Sequence, residues 1–185
     1  MELYPKYRAI LSAEWISPHQ DQAFAKALSE TIMDVITSFR GKLINTGVPT
    51  YLCIFPSVFD GLLSSIELLK ISRGKSGHSI RLGLHYGAVD QETDMLNDET
   101  IGVAVNIQSF GKTNSLVISH AVTDQIKSHP QFKARSIGKF EINGLPGWSE
   151  LFTIQSFGIV QSGFSWINRI RTSLDQASTI LKSLF

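Results

Sequence analysis

Of the 16 acidic side chains that could hold a cation or move a proton, five fall in one stretch. Carboxylates gather at Asp90, Glu92, Asp94, Asp98 and Glu99. Oxygen ligands of that kind suit hard cations. Here they lie in a polar segment between periodic ones, and the segment reads as a solvated loop. The only cysteine, Cys53, lies inside the apolar run Tyr51-Leu52-Cys53-Ile54-Phe55. One thiol makes neither an intramolecular disulfide nor a cysteine zinc cluster, so Cys53 reads as a buried structural thiol. Cations do not dominate either. Lys+Arg number 17 against 16 Asp+Glu, for a net charge of +1. That balance supplies no basic field for counterion release, which excludes nucleic acid as the expected partner.

The 185 residues, 43% of them hydrophobic, are enough for one domain with its own core. Residues 8–13 read as a short buried strand, ended by Ser17-Pro18. From Asp21 to Phe39 the apolar residues Phe24, Leu28, Ile32, Val35, Ile36 and Phe39 keep helical spacing, with Gly41 as a stop. Residues 42–46 and 50–55 read as two strands around the turn Gly47-Val48-Pro49. A second amphipathic helix spans 58–71, and Ile80–Gly87 alternates as a strand. The order strand, helix, strand, strand, helix, strand is the ferredoxin-like βαββαβ arrangement, in which helices cover one face of an antiparallel sheet. After the acidic segment come a short helix near 103–110, a strand at 115–118, a helix at 119–127 and strands near 135–142 and 149–155.

Ile80-Arg81-Leu82-Gly83-Leu84-His85-Tyr86-Gly87-Ala88-Val89 resembles the R-x-G-hydrophobic-H-x-G-x-V strand of class III adenylate and guanylate cyclases. LINTGVPTYLCIF resembles that family's G-D-G hairpin. IGVAVNIQSF resembles its G-D-x-V-N-x-A-x-R helix, and SLVISHAVTDQI the strand and helix that follow. IGKFEINGLPGWSELFTI resembles its closing hairpin. These segments occur in the family's order and cover about residues 8–155. The resemblance implies an α+β fold with the ferredoxin-like core of class III nucleotide cyclases, extended by C-terminal strands.

It also implies a mechanism, and the residues here depart from it. In the family, two chains pair head to tail around the nucleotide, and two aspartates hold two metal ions for a displacement at phosphorus. The first metal position is Glu14, in Ser12-Ala13-Glu14-Trp15. Glutamate can ligate a hard cation, but its longer arm suits octahedral magnesium poorly. The phosphate loop that should follow contains Ser17-Pro18-His19, and proline has no N–H to give a phosphate. The second metal aspartate falls on Val48, which has no lone pair. The transition-state arginine is Phe110, so its fork of donors is lost. Asn106 is kept, as a ribose ligand or as a structural residue. The base-reading positions fall on Glu99 and Asn143, the latter in an Asn-Gly turn signal. Arg81 and His85 read as structural.

The chain is thus read as 1–157, a cyclase-homology domain, and 158–185, a linker and a C-terminal amphipathic helix. In that helix Ile167, Ile170, Leu174, Ala177, Leu181 and Leu184 form a heptad-like seam. It could pack on its own domain, pair with a partner helix, or touch an anionic membrane weakly, given its charge. The leading expectation is a catalytically degenerate module that dimerises with itself or with another cyclase-like chain, or binds a ligand through Asn106 and Glu99. No residue is assigned a catalytic role. Two alternatives stand beside it: a working or partner-complemented cyclase, needing magnesium or manganese at Glu14, and a membrane-peripheral or scaffold protein acting through the C-terminal helix. The first residues, MELYPKYRAIL, carry charges where a signal peptide needs an apolar core. No run approaches the roughly 18 apolar residues of a spanning helix. A cytoplasmic or membrane-peripheral chain is expected.

Overall fold

The structure is a computed structural model that describes residues 6–17, 22–47, 49–74, 78–89 and 98–157. The segment assigned to a C-terminal helix, most of the acidic segment, Pro18, His19 and Val48 lie outside the described residues.

The central strands are β1 (Lys6–Ile16) and β4 (Ser79–Val89), antiparallel along their full length from Lys6↔Val89 to Ile16↔Ser79. Hairpin strands β2 (Lys42–Gly47) and β3 (Thr50–Phe55) extend the sheet from β1. β5 (Ser115–Ser119) lies parallel to β4 on the other side, followed by β6 (Phe132–Glu141) and β7 (Trp148–Phe157). The sheet order is β2-β3-β1-β4-β5-β7-β6. The expected βαββαβ core and its C-terminal strands are present.

Helix α1 (Gln22–Ser38) buries Leu28, Ile32, Val35 and Ile36, spaced at one face of a 3.6-residue period. Its stop is set by Arg40 in the left-handed region (φ 60°), one residue before the expected Gly41. Helix α2 (Val58–Gly74) buries Val58, Leu62, Leu63, Ile66, Leu68 and Leu69. Together with α4 (His120–Ile126), which supplies Val122 and Ile126, these helices form one continuous core against Ala9, Leu11, Ala13, Ile80, Leu82 and Leu84. Each large aliphatic side chain buried there contributes about 1.5–3 kcal/mol of transfer free energy.

Helix α3 (Asp98–Ser109) covers the opposite face and serves as the crossover between the parallel strands β4 and β5. It begins five residues before the sequence reading placed it. The helix starts at Asp98, inside the segment expected to be a loop, and Glu99 lies in its first turn, where a carboxylate complements the helix dipole. Asn114, at φ 57°, fixes the entry to β5. Its N–H donates to Ile80 O (2.7 Å), and its Oδ1 accepts from Ile80 N (3.1 Å) and Ser72 Oγ (2.9 Å). No helix among the described residues is long and apolar enough to cross a membrane.

Candidate functional site

Alternation along β1, β4 and β5 sends Ser12, Glu14, Arg81, Gly83, His85, Ser115 and Ser119 toward α3. The intervening residues Leu11, Ala13, Leu82, Leu84, Leu116 and Ile118 go to the main core. Gly83 sets how closely α3 approaches. A Cβ placed there would lie 2.6 Å from both Ala104 O and Gln108 N, so only glycine lets the helix backbone rest on β4.

That approach brings Gln108 onto Glu14. Gln108 Nε2 donates to Glu14 Oε2 at 3.1 Å, and Arg81 Nη1 forms an ion pair with the same oxygen at 3.4 Å. Ser12 Oγ donates to Gln108 Oε1, so both ends of the amide are engaged. Glu14 and Arg81 are direct cross-strand partners, and opposite charges so placed attract. A two-metal centre needs at least two carboxylates around hard cations. Among the described residues no group of three or more His, Cys, Asp and Glu converges. The carboxylate at Glu14 already shares an oxygen between a guanidinium and an amide.

Asn106, two residues earlier on α3, is half-buried, and its Nδ2 donates to Gly102 O at 3.1 Å within the same helix. Glu99 is exposed in the first turn of α3, about 13 Å of helix rise from Gln108. It meets the β6–β7 connection. A Cβ on Gly144 (φ 89°) would lie 3.0 Å from Glu99 Cγ. There Ile142 O accepts from Leu145 N (3.0 Å), which makes Asn143-Gly144 the centre of a turn. The structure therefore brings Glu99 to Asn143-Gly144 and Glu14 to Gln108, at opposite ends of α3. Phe110 packs against Phe140, with ring centroids 4.5 Å apart and the planes tilted by 42°.

His85 is buried, with Nδ1 3.0 Å from Ser119 Oγ, and burial pushes its pKa down to about 4. It is a neutral core imidazole. Burial also pushes the Cys53 thiol up to about 12, so it stays protonated and unreactive.

Gln108, Ser12 and the pairing of Arg81 with Glu14 were not singled out in the sequence. One signal was present. Gln108 occupies the alanine position of N-x-A-x-R, and a long amide in place of a methyl must find partners where the helix touches the sheet.

Solved structures share this architecture at low identity. An adenylate/guanylate cyclase/hydrolase from Silicibacter pomeroyi superposes with a TM-score of 0.70 at 14% identity, covering 83% of this chain and 99% of that one. The guanylate cyclase domain of RhGC from Catenaria anguillulae, in complex with GTP, gives 0.70 at 14%, covering 82% and 97%. The non-canonical dimeric guanylyl cyclase domain of the RhoGC fusion protein from Blastocladiella emersonii gives 0.67 at 14%, covering 83% and 97%. The chain has the class III nucleotide cyclase fold. No protein-family model matches the sequence, and no curated protein matches it. The cyclase-like fold accounts for the whole described sheet, including the parallel β4–β5 junction that the ferredoxin-like core alone lacks.

Proposed function

We propose that this cyclase-like domain is a non-catalytic module that works by pairing with a second cyclase-like chain and through ligand binding. The observation that carries this reading is the state of Glu14. The carboxylate at the first metal position is held by Arg81 and Gln108 of its own chain, and the guanidinium balances its charge without a metal ion. Two further residues support it. Val48 brings no ligand to the second metal position, and Phe110 is half of an aromatic pair where a guanidinium would face a polyphosphate. Asn106 and Glu99 remain the positions for contact with a ribose and a base. Asn106 must give up its bond to Gly102 to serve.

Pairing is supported by the apolar side chains left uncovered: Ile44 on β2 and Val105 on α3 are each 42% exposed. The Blastocladiella emersonii domain, which shares this fold, is a non-canonical dimer. The pairing test is sedimentation of the full chain with and without Val105→Glu. A dimer that the charge dissociates is the expected result, and a monomer at all concentrations counts against pairing.

The catalytic test is an assay of the pure protein with ATP, GTP, CTP and UTP, in magnesium and in manganese, with products read by mass spectrometry. No cyclic product is expected. Product formed by the unaltered chain would overturn the non-catalytic reading and install a cyclase whose metal site is rebuilt by other groups. A nucleotide-induced thermal shift, lost in Asn106→Ala, is the signature expected of ligand binding.

A further inference from the structure

Beside the C-terminal end of α3, a cleft of about 540 Å³ opens over β5, β7 and β6. It falls within the usual size range of small-molecule sites. Its walls carry Phe110, Lys112, Ser115, Arg135, Phe140 and Thr153. The register explains how residues so distant in sequence meet: Val117, Thr153 and Arg135 stand opposite one another across three strands.

Two features define what it would hold. Among the described residues, neither Lys112 nor Arg135 has an ion-pair partner, although both line the same cleft. Glu150 accepts instead from Ser136 Oγ (2.5 Å). Second, the Phe110 and Phe140 rings, 4.5 Å apart and tilted by 42°, present an apolar edge at the same opening. The hydroxyl protons are committed elsewhere. Ser115 Oγ donates to Lys112 O (2.6 Å) and Thr153 Oγ1 to Leu116 O (3.0 Å). These oxygens offer only lone pairs, and so call for donors on the ligand.

The geometry points to a binding site for a small planar molecule that carries a phosphate and a hydrogen-bond donor on its ring system. Arg135 and Lys112 take the phosphate, the arginine through its planar fork. Phe110 and Phe140 take the ring face or edge. Ser115 and Thr153 accept from its donor. The cleft shares no lining residue with Glu14, Asn106 or Glu99, and it does not depend on whether the chain is catalytic. Position 110 takes on a new meaning here. The phenyl ring that replaces a guanidinium in the cyclase motif forms one wall of this cleft.

The experiment is an isothermal titration of the full chain with p-aminophenyl phosphate, and separately with inorganic phosphate and with aniline. The expected result is saturable binding of the whole probe, with each fragment at least tenfold weaker. Arg135→Ala and Lys112→Ala are each expected to weaken the probe about tenfold without moving Tm, because both side chains are exposed. Asn106→Ala is expected to leave it unchanged. The proposal is overturned if the probe does not saturate, if both cation variants bind like the parent, or if Asn106→Ala abolishes binding. Equal affinity for inorganic phosphate and the whole probe would also overturn it, because the aromatic wall would then contribute nothing.

Discussion

The two faces of the central strands are made of different material. Toward α1, α2 and α4, β1 and β4 present Ala9, Leu11, Ala13 and Trp15, then Ile80, Leu82 and Leu84. Toward α3 the same strands present Ile10, Ser12 and Glu14, then Arg81, Gly83, His85 and Gly87. The first face is held by area, which is non-directional and forgiving of shape. The second combines smaller apolar clusters with particular fits: one close backbone approach, one buried imidazole, one amide shared between a serine and a carboxylate. Of the described departures from the cyclase motifs, Glu14 lies on this second face, and Glu99 and Phe110 lie on or next to the helix that covers it.

Altering one glycine on each side should separate the two modes of packing most strongly. Gly83→Val would drive a side chain into the backbone of α3, which cannot yield. A loss of at least about 4 kcal/mol, or no folded protein, is expected by urea denaturation. Gly61→Ala on α2 meets only the end of the Leu84 side chain, at 2.8 Å. It should cost no more than about 1 kcal/mol, because the helix propensity gained from alanine offsets much of what the contact loses. Equal losses would erase the distinction between the faces.

Acid should act on the α3 face next. The folded-state pKa of His85 lies near 4, below its ordinary 6.5, so between those values only the unfolded chain takes the proton. This contribution is complete above about pH 6.5, falls as the pH drops toward 4, and is constant below that. The total is roughly 3 kcal/mol. His85→Gln should lack that slope, and an unchanged slope in the variant would move the effect to other groups.

The main-core side has its own buried charge for comparison. Asp60 is bound by Arg40 Nη2 at 2.8 Å and by Ser57 Oγ at 2.6 Å, at the start of α2. Because Arg40 is largely solvated, Asp60→Ala should cost about 2 kcal/mol by thermal or urea unfolding. The smallest effect belongs to the pair that carries the functional reading. Glu14→Gln keeps the Gln108 contact and removes a half-exposed ion pair, so less than about 1 kcal/mol should be lost. A large loss of stability on that change would mean that Glu14 is structural first.

The elements were legible where periodicity was strong. The apolar spacing of Leu28, Ile32, Val35 and Ile36 gave α1, and the alternation of Ile80–Gly87 gave β4 within two residues at each end. The start of α3 was missed because acidic residues that favour a helix N-terminus have the same composition as a solvated loop. Of the Glu14 network, only Glu14 itself and the out-of-place amide of Gln108 were legible. Its partners lie 67 and 94 residues away, and only the β1–β4 register and the approach allowed by Gly83 bring them together. The cleft at Lys112 and Arg135 needed the register of three strands for the same reason.

The parallel ladder between β4 and β5 runs only from Arg81↔Ser115 to Leu84↔Ile118, whereas β1–β4 and β6–β7 are paired along most of their length. The sheet is thus two antiparallel blocks joined by a short seam, with Asn114 as its clasp. Amide protons of β5, β6 and β7 should exchange with solvent as one cooperative group, at a lower opening free energy than those of β1 and β4. A ligand seated across β5, β7 and β6 would slow that group first.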